Sequence, residues 1–374
     1  MKRFFFVGYT AIFIALTLFS YLFVDTNFIY LFSPLAGFNG QHRILVSGIY
    51  LLLISIFFGV YVLLIKNYNL IFPNLSKLKK VIPIFLIPVF AYPAIFSYDI
   101  FNYIATSKVL FYYHENPYLI MPIEFLHDPI LSFTRAANKL NLYGIFWTII
   151  SGIPYFLSFG NYIISILMFK VFISLFYLGL IVLIWKLTKN KLSVVLFAAN
   201  PLVVIETFVS GHNDVTMMFF ALLSIYFLKN KKVLFTILFL AASIFIKYAT
   251  LFLIPVFIFA IIRNFKNERI DWSKVYFVSF ILMFMIFLLS FLREEIYPWY
   301  AIWPITFLVL IPQRNKLINI FLGLSFGLML SYIPYMYFGT YFGPTPITKI
   351  ILMLFPVIIV FLYQAIKTKE KSIL

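Results

Sequence analysis

Apolar runs, many close to the ~20 residues that a membrane-crossing helix needs, alternate with short polar connections along most of this 374-residue chain. The pattern predicts an all-α polytopic membrane protein with a single integral domain over residues 1–374 and no separate soluble domain. Twelve transmembrane spans are predicted, at residues 4–24, 44–65, 81–97, 161–185, 192–209, 214–228, 233–246, 249–262, 275–292, 298–311, 317–335 and 347–366.

Residues 97–160 are the longest polar interruption of this pattern. A helix that begins at Asp99 would place four polar side chains on one face: Asp99, Asn102, Tyr103 and Thr106. Such an amphipathic helix is expected to lie in the membrane interface. The apolar run at 144–157 is short for a span and is interrupted by Gly152 and Pro154. It predicts a second interfacial or membrane-dipping helix in this large outer loop.

Composition and charge support the membrane assignment. Apolar residues make up 64% of the chain and charged residues only 11%, against roughly 25% charged residues in a soluble domain. The net charge of +17 would suit a nucleic-acid partner, but the lysines lie in small clusters between apolar runs. We therefore expect membrane lipid as a partner and no nucleic acid. The chain has no cysteine, so disulfides are excluded.

The distribution of charge predicts the orientation. If spans alternate from a cytoplasmic N-terminus, most of the 29 Lys and Arg residues fall on the cytoplasmic side, in clusters that include 77–80, 186–191, 229–232, 263–274 and 367–371. Only three of the 12 acidic residues fall there, namely Glu268, Asp271 and Glu370. This positive-inside bias predicts that both termini are cytoplasmic and that the acidic residues collect on the outer face of the cell membrane.

The outer segment contains two polar clusters with candidate chemistry. Asp99 stands beside Asn102 and Tyr103. A carboxylate partly removed from water can accept a hydroxyl proton, so Asp99 is a candidate general base, although Asp is equally a favoured N-cap residue. The second cluster consists of Glu115, Asn116 and Tyr118. Its Asn-Pro dipeptide favours a turn, so this cluster is either part of an acceptor site or a turn only.

A third cluster lies at the outer tip between two predicted spans. His212, Asn213 and Asp214 follow a Ser-Gly pair there. Their donors and acceptors suggest a polar binding niche, whereas Asp214 by itself could only cap the next helix. His212 and Asp214 are too few ligands to predict a metal site.

Lys247 interrupts the apolar run 233–262 near its midpoint. A lysine at mid-bilayer costs about 3 kcal/mol or more, so we predict two short spans that turn at Lys247 and place it at the outer surface. Its ammonium group could hold a phosphate as a point charge or only snorkel to the interface. The same face is expected to receive Tyr248, Arg293, Trp299 and Tyr300. Aromatic residues there either form an interfacial belt or stack on a sugar.

Five motifs follow one another on the predicted outer face: Asp99-x-x-x-Tyr103-x-Ala105, Asn116-Pro117-Tyr118, Gly211-His212-Asn213-Asp214, Ile246-Lys247-Tyr248 and Tyr297-Pro298-Trp299-Tyr300. In this order they resemble bacterial and archaeal polyprenol-phosphomannose-dependent α-mannosyltransferases of the GT-C superfamily. The resemblance implies a hexosyltransferase, with mannose as the expected sugar. Such an enzyme uses a polyprenyl-phosphate sugar donor outside the membrane and inverts the anomeric centre.

By this resemblance, Asp99 matches the acidic residue that is taken as the general base. The donor phosphate and sugar are expected at Lys247, His212, Asn213, Asp214, Arg293 and Tyr248. The acceptor or loop site is expected at Asn102, Tyr103, Glu115, Asn116, Tyr118, Trp299 and Tyr300. No cofactor and no metal requirement is expected. The expected partners are membrane lipid, a polyprenyl-phosphate-linked sugar and a glycan or glycolipid acceptor.

Two other functions use the same polar groups. A transporter or flippase of lipid-linked saccharides would use them as a passage, but the sequence shows no internal repeat and no paired broken helices of the kind common in secondary transporters. An outer-face glycan polymerase or ligase would use a saccharide on a lipid diphosphate. The sequence separates the last possibility poorly from the mannosyltransferase.

Overall fold

The computed structural model of the protein describes residues 2–31, 34–72, 82–132, 134–292 and 295–373. These residues are 75% helical and contain no β-strand, which confirms the predicted all-α class. The α-helices, in chain order, are α1 Lys2–Ser20, α2 Phe38–Gln41, α3 Arg43–Lys66, α4 Tyr68–Ile71, α5 Asp99–Phe111, α6 Ile145–Ile150, α7 Gly152–Phe156, α8 Tyr162–Thr188, α9 Lys191–Ala198, α10 Pro201–Val204, α11 Asp214–Lys229, α12 Val233–Ile244, α13 Ile254–Phe265, α14 Trp272–Leu289, α15 Ile302–Leu308, α16 Asn315–Leu330, α17 Ile333–Phe338 and α18 Thr345–Ile373.

Within the described part of the chain, seven helical segments are long and apolar enough to cross a membrane: Phe5–Phe23, Arg43–Lys66, Tyr162–Thr188, Tyr248–Phe265, Trp272–Leu292, Asn315–Phe338 and Thr345–Lys367. The segments Lys191–Ala198 and Pro201–Val209 would make an eighth, bent by 55°. The chain is therefore a membrane protein. The remaining predicted spans correspond to shorter elements, and the number twelve stays a prediction.

The segment predicted as the third span, 81–97, is not an α-helix where the structure describes it. It forms the 3₁₀-helices Ile82–Phe90 and Pro93–Ile95. Proline recurs every five residues here and lacks the amide hydrogen that an α-helix needs. Side chains of neighbouring helices bond the backbone near this break: the Ser20 hydroxyl accepts from Tyr92 N at 2.7 Å and Lys170 donates to Ala91 O. Broken helices are tolerated inside membrane proteins when side chains of neighbouring helices bond to the freed backbone groups in this way.

A second irregular segment leads into the His212 loop. After α10, residues Ile205–Val209 form a π-helix turn, a local widening that is frequent at functional sites. The chain then turns at Gly211, whose φ of 74° suits glycine. The amide of His212 donates to Glu206 O at 2.9 Å. The π turn and Gly211 thus fold the chain back, so that His212 lies against the end of the helical segment that precedes it.

The predicted turn at Lys247 occurs as a break between α12 and the 3₁₀-helix Tyr248–Leu253. The outer loop packs directly on this break, since Gly144 N donates to Ile246 O at 3.0 Å. A Cβ atom on Gly144 would lie 2.1 Å from Phe245 O, so only glycine fits at this contact. The contact joins the start of α6 to the segment that carries Lys247.

Helix α5 also differs in its surroundings from the predicted interfacial helix. Its residues Ile100–Ser107 are all buried, the polar Asn102, Tyr103 and Thr106 among them. Packing against α7 and α8 covers the helix with protein. Its polar face therefore meets other protein groups instead of water, and of the four polar residues on that face only Asp99 remains partly open.

Candidate active site

Four segments that are distant in sequence meet at the start of α5. They are residue 99, the tip at 210–214, the break at 245–248 and the aromatic segment at 297–303. Asp99 and Lys247 are partly accessible, with 25% and 16% of their side chains exposed, whereas His212 and Asp214 behind them are fully buried. The wall of the site therefore presents one carboxylate and one ammonium group, each supported by buried polar side chains.

The imidazole of His212 lies between two carboxylates. Its Nδ1 is 3.4 Å from Asp99 Oδ2, and its Nε2 is 3.4 Å from Glu206 Oε2. The ring stacks on Trp299 with centroids 4.0 Å apart and an interplanar angle of 16°. Glu206 also accepts a hydrogen bond from Tyr332 Oη at 2.8 Å. Stacking on Trp299 thus fixes the plane of the ring, and its two nitrogens face the two carboxylates.

This arrangement restricts the protonation states of Asp99, His212 and Glu206. A neutral imidazole has one N–H donor and one lone pair, whereas an imidazolium has two donors. Two nitrogens that both face carboxylates are compatible either with an imidazolium or with one protonated carboxyl group. This set can keep Asp99 as the ionised, accessible member.

The second assembly surrounds Asp214. Its Oδ2 is 2.7 Å from Lys247 Nζ, and its Oδ1 accepts from Trp303 Nε1 at 2.6 Å. Lys247 Nζ also lies 5.5 Å from the ring centroid of Tyr300, which stacks on Trp303 at 4.3 Å. Asp214 and the aromatic rings thereby fix the position of the ammonium group. The Lys247 side chain is mostly buried. In such surroundings the charge of its ammonium group acts strongly on an anion.

The charges around Asp99 determine its protonation. Burial raises the pKa of the Asp99 carboxyl. The hydrogen bond and charge of His212, together with the charge of Lys247, lower this pKa by more than burial raises it, so it lies below its ordinary value. Asp99 is therefore a carboxylate at neutral pH. Because it is also partly exposed, it can accept a proton from a bound hydroxyl group.

The chain also matches a known protein family. Residues 6–263 match the family described as alpha-(1->6)-mannopyranosyltransferase, N-terminal domain. The chain belongs to this family. It is a membrane mannosyltransferase of the GT-C type, which confirms the resemblance drawn from the motifs. No curated protein and no solved structure matches the chain. The matched region contains Asp99, His212, Asp214 and Lys247, and it ends before the aromatic segment.

The structure of this mannosyltransferase gives several predicted donor and acceptor residues a supporting position. Asn213 N donates to Tyr103 Oη at 3.2 Å, which joins the tip to α5. The side-chain atoms of Asn213, and Oδ1 of Asn102, are buried and make no hydrogen bond within the described structure. Trp299 stacks on both His212 and Tyr297. Its ring therefore positions His212 and is not displayed for a sugar.

The residues of the second outer cluster form a turn of the loop. Glu115 is exposed, and Asn116 Oδ1 accepts from Tyr118 N at 3.0 Å, which closes the turn that the Asn-Pro dipeptide favours. Tyr118 Oη donates to Tyr143 O at 2.9 Å and so ties the turn to the loop. Tyr248 has 61% of its surface exposed. Arg293 lies outside the described residues.

Three residues of the site were not among the predicted site residues: Glu206, Trp303 and Tyr332. Glu206 gave a signal, because a carboxylate inside an apolar span is rarely without a function. Trp303 follows Trp299 by four residues, which is one helical turn. Tyr332 gave none, because it reaches Glu206 from the distant turn between α16 and α17. Among the described residues, no group of three or more His, Cys, Asp or Glu side chains is placed to hold a metal ion.

Proposed function

We propose that this mannosyltransferase transfers mannose from a polyprenyl-phosphate mannose to a glycan or glycolipid acceptor at the extracytoplasmic face. The observation that carries the proposal is the pair of partly open groups on one wall, the Asp99 carboxylate and the Lys247 ammonium. One can accept a proton and the other can bind a phosphate. Together they supply what a phosphate-leaving glycosyl transfer requires.

In the proposed reaction, the hydroxyl oxygen of the acceptor attacks the anomeric carbon of mannose and its proton passes to Asp99. The bond between that carbon and the phosphate oxygen breaks, and the phosphate leaves with an added negative charge. Lys247 stabilises this charge in the transition state. Attack opposite the leaving group inverts the anomeric centre. A β-linked donor would thus give an α linkage, as the family description names.

His212 and Asp214 have different roles in this scheme. His212, between Asp99 and Glu206, orients Asp99 and keeps it ionised. Asp214, with Trp303, sets the position of Lys247 and offsets part of its charge in the absence of donor. No metal or cofactor is required by the scheme, because Lys247 and the buried dipoles around it neutralise the phosphate.

The topology belongs to the same proposal. Seven segments meet the length of a span, and five shorter apolar elements complete twelve crossings: 82–95, 191–209, 214–229, 233–244 and 298–308. With both termini cytoplasmic, the start of α5, the His212 tip and Lys247 fall on the outer side, with α6 and α7 at the interface. The clustering of Lys and Arg at the other end supports this orientation.

The decisive experiment supplies the purified protein with an alkyl α-mannoside acceptor and one donor at a time. The donors are polyprenyl-phosphate mannose, polyprenyl-phosphate glucose and GDP-mannose. We expect an α-linked dimannoside from the first donor only, identified by NMR of the product. Transfer from GDP-mannose alone would contradict the donor assignment. In a parallel reaction that supplies a saccharide on a lipid diphosphate as the donor, transfer of the whole saccharide would instead favour the ligase function.

A further inference from the structure

A cavity of about 590 Å³ lies between the consecutive helices α13 and α14, at the end of the molecule opposite Lys247. Its apolar lining comes from both helices: Pro255, Val256, Phe259, Val275, Val278 and Leu282. On α13 the lining residues recur at a spacing of four and on α14 at three to four, so each set follows one helical face. The cavity is therefore a groove that runs along the two helices, and we call it the α13–α14 groove.

The mouth of the groove lies at the short connection between the helices and is basic. Arg263, Arg269 and Lys274 line it. The acidic groups there have partners: Glu268 Oε2 is 2.8 Å from Arg263 Nε, and Asp271 Oδ1 accepts from the backbone of α14. Lys274 is 83% exposed and its Nζ is 4.0 Å from Asp271. Arg269 is exposed as well. These two cations are thus available to an anion at the mouth.

The depth of the groove corresponds to one leaflet of a bilayer. From Asp271 at the mouth to Leu282 at the apolar end, α14 rises about 17 Å at ~1.5 Å per residue. Half of a hydrocarbon core is about 15 Å thick. A groove with cations at one end and apolar side chains over this length matches a phospholipid standing in a single leaflet.

We propose that the α13–α14 groove binds one anionic phospholipid. Its acyl chain lies between Phe259 and Val278, and its headgroup phosphate lies at Arg269 and Lys274. Basic residues next to a span attract anionic lipids, and a guanidinium group matches a phosphate in geometry. The site is separate from the donor site, because Lys247 lies at the other end of the span Tyr248–Phe265. The proposal therefore stands whether or not the proposed reaction is correct.

Native mass spectrometry of the full chain in detergent tests the proposal, with phosphatidylglycerol and phosphatidylcholine titrated separately. We expect one phosphatidylglycerol per protein, bound about tenfold more tightly than phosphatidylcholine. The double variant Arg269→Gln with Lys274→Gln should bind both lipids alike. Val278→Trp, which fills the groove, should lose the one-to-one complex with either lipid.

The control variant Lys66→Gln with Lys367→Gln removes the same charge from exposed positions outside the groove, and it should keep the wild-type preference. Only the intact folded species is counted, so a loss of yield does not imitate a loss of binding. Equal binding of the two lipids by the wild type would overturn the proposal. So would retention of phosphatidylglycerol by Val278→Trp, or a loss of preference in the control.

Discussion

Asp99 and Asp128 belong to the same polar segment, yet their surroundings differ. Asp128 is saturated: its Oδ2 lies 2.7 Å from Lys108 Nζ and accepts from Tyr113 at 2.8 Å, and its Oδ1 accepts from Ile130 N at 3.0 Å. Only 4% of its side chain is exposed. Asp99 is 25% exposed, and its contact with His212 is longer, at 3.4 Å.

Both carboxyl groups have a pKa below the ordinary value, for different reasons. Burial raises the pKa of Asp128, and hydrogen bonds from Lys108, Ile130 and Tyr113 outweigh it. At Asp99, burial is outweighed mainly by His212 and by the charge of Lys247. A low pKa alone therefore does not mark a catalytic group. The two groups differ in exposure, because part of the Asp99 side chain remains accessible whereas that of Asp128 is almost fully covered.

The largest expected effect comes from the neutral substitution Asp99→Asn. It keeps the shape of the side chain but removes the proton acceptor, so turnover should fall about 100- to 10,000-fold. Donor binding and the melting temperature should change little, because the residue is partly exposed. Single-turnover transfer from labelled donor measures the first effect, and equilibrium binding of the donor measures the second.

The matched control is Asp128→Asn, which should reverse the pattern. It leaves Lys108 without its close counter-charge and should cost about 1–3 kcal/mol of stability, with turnover within a few-fold of the wild type. If the two variants proved equally active, the assignment of Asp99 as general base would be wrong.

The second prediction concerns Lys247. It is tightly paired, as Asp128 is, but it is also partly accessible, as Asp99 is. Lys247→Met should weaken donor binding and turnover together, each by at least about tenfold, because the phosphate is charged before and during the reaction. It should also destabilise the protein by about 3 kcal/mol, because Asp214 remains buried without its cation.

The double variant Asp214→Asn with Lys247→Met separates these two effects. Removing both charges should restore most of the lost stability, whereas donor binding should stay weak. Recovery of donor binding together with stability would mean that Lys247 serves the fold alone.

The third prediction concerns the contact between His212 and Asp99, which distinguishes Asp99 from Asp128. His212→Gln removes the largest contribution that lowers the pKa of Asp99, so this pKa should rise. Asp99 acts when ionised, and activity is lost as pH falls through its pKa. The acidic limb of the profile of kcat/KM against pH should therefore move to higher pH, with a loss of about 10- to 100-fold at neutral pH. An unchanged limb would show that His212 does not act on Asp99.

The fourth prediction extends this set to Glu206. Glu206→Gln should lower kcat by about tenfold with little change in KM for the donor, because Glu206 acts only through His212. The double variant with His212→Gln should then be no worse than His212→Gln alone, since coupled residues are not additive. Additive losses would place Glu206 in a separate role.

The smallest effect is expected at Tyr118, which the motif order placed in the acceptor site. Tyr118→Phe removes its hydrogen bond to Tyr143 O and should cost about 1 kcal/mol, measured by thermal unfolding. Turnover should remain near that of the wild type. A loss of turnover without a loss of stability would return Tyr118 to the acceptor site.

The membrane class, the family and several polar residues of the candidate site were predictable from the sequence alone. Apolar runs of bilayer length and clustered lysines are local properties, readable without any contact. The position of Lys247 at a break was predictable for the same reason, because a lysine inside a long apolar helix is costly. Residues 81–97 were predicted as a span, and the 3₁₀ conformation that the structure has there was not predicted.

Which of the polar residues lie together depends on the packing of the helices. The contacts of Tyr332 with Glu206 and of Trp303 with Asp214 join elements far apart in the chain, and no spacing predicts them. The same holds for the difference between Asp99 and Asp128, which are both acidic residues of one loop. Neighbouring side chains occupy the oxygens of Asp128 and leave Asp99 partly open. This difference could not be predicted, because hydrogen bonding and burial are set by the packing of distant helices and not by residue type.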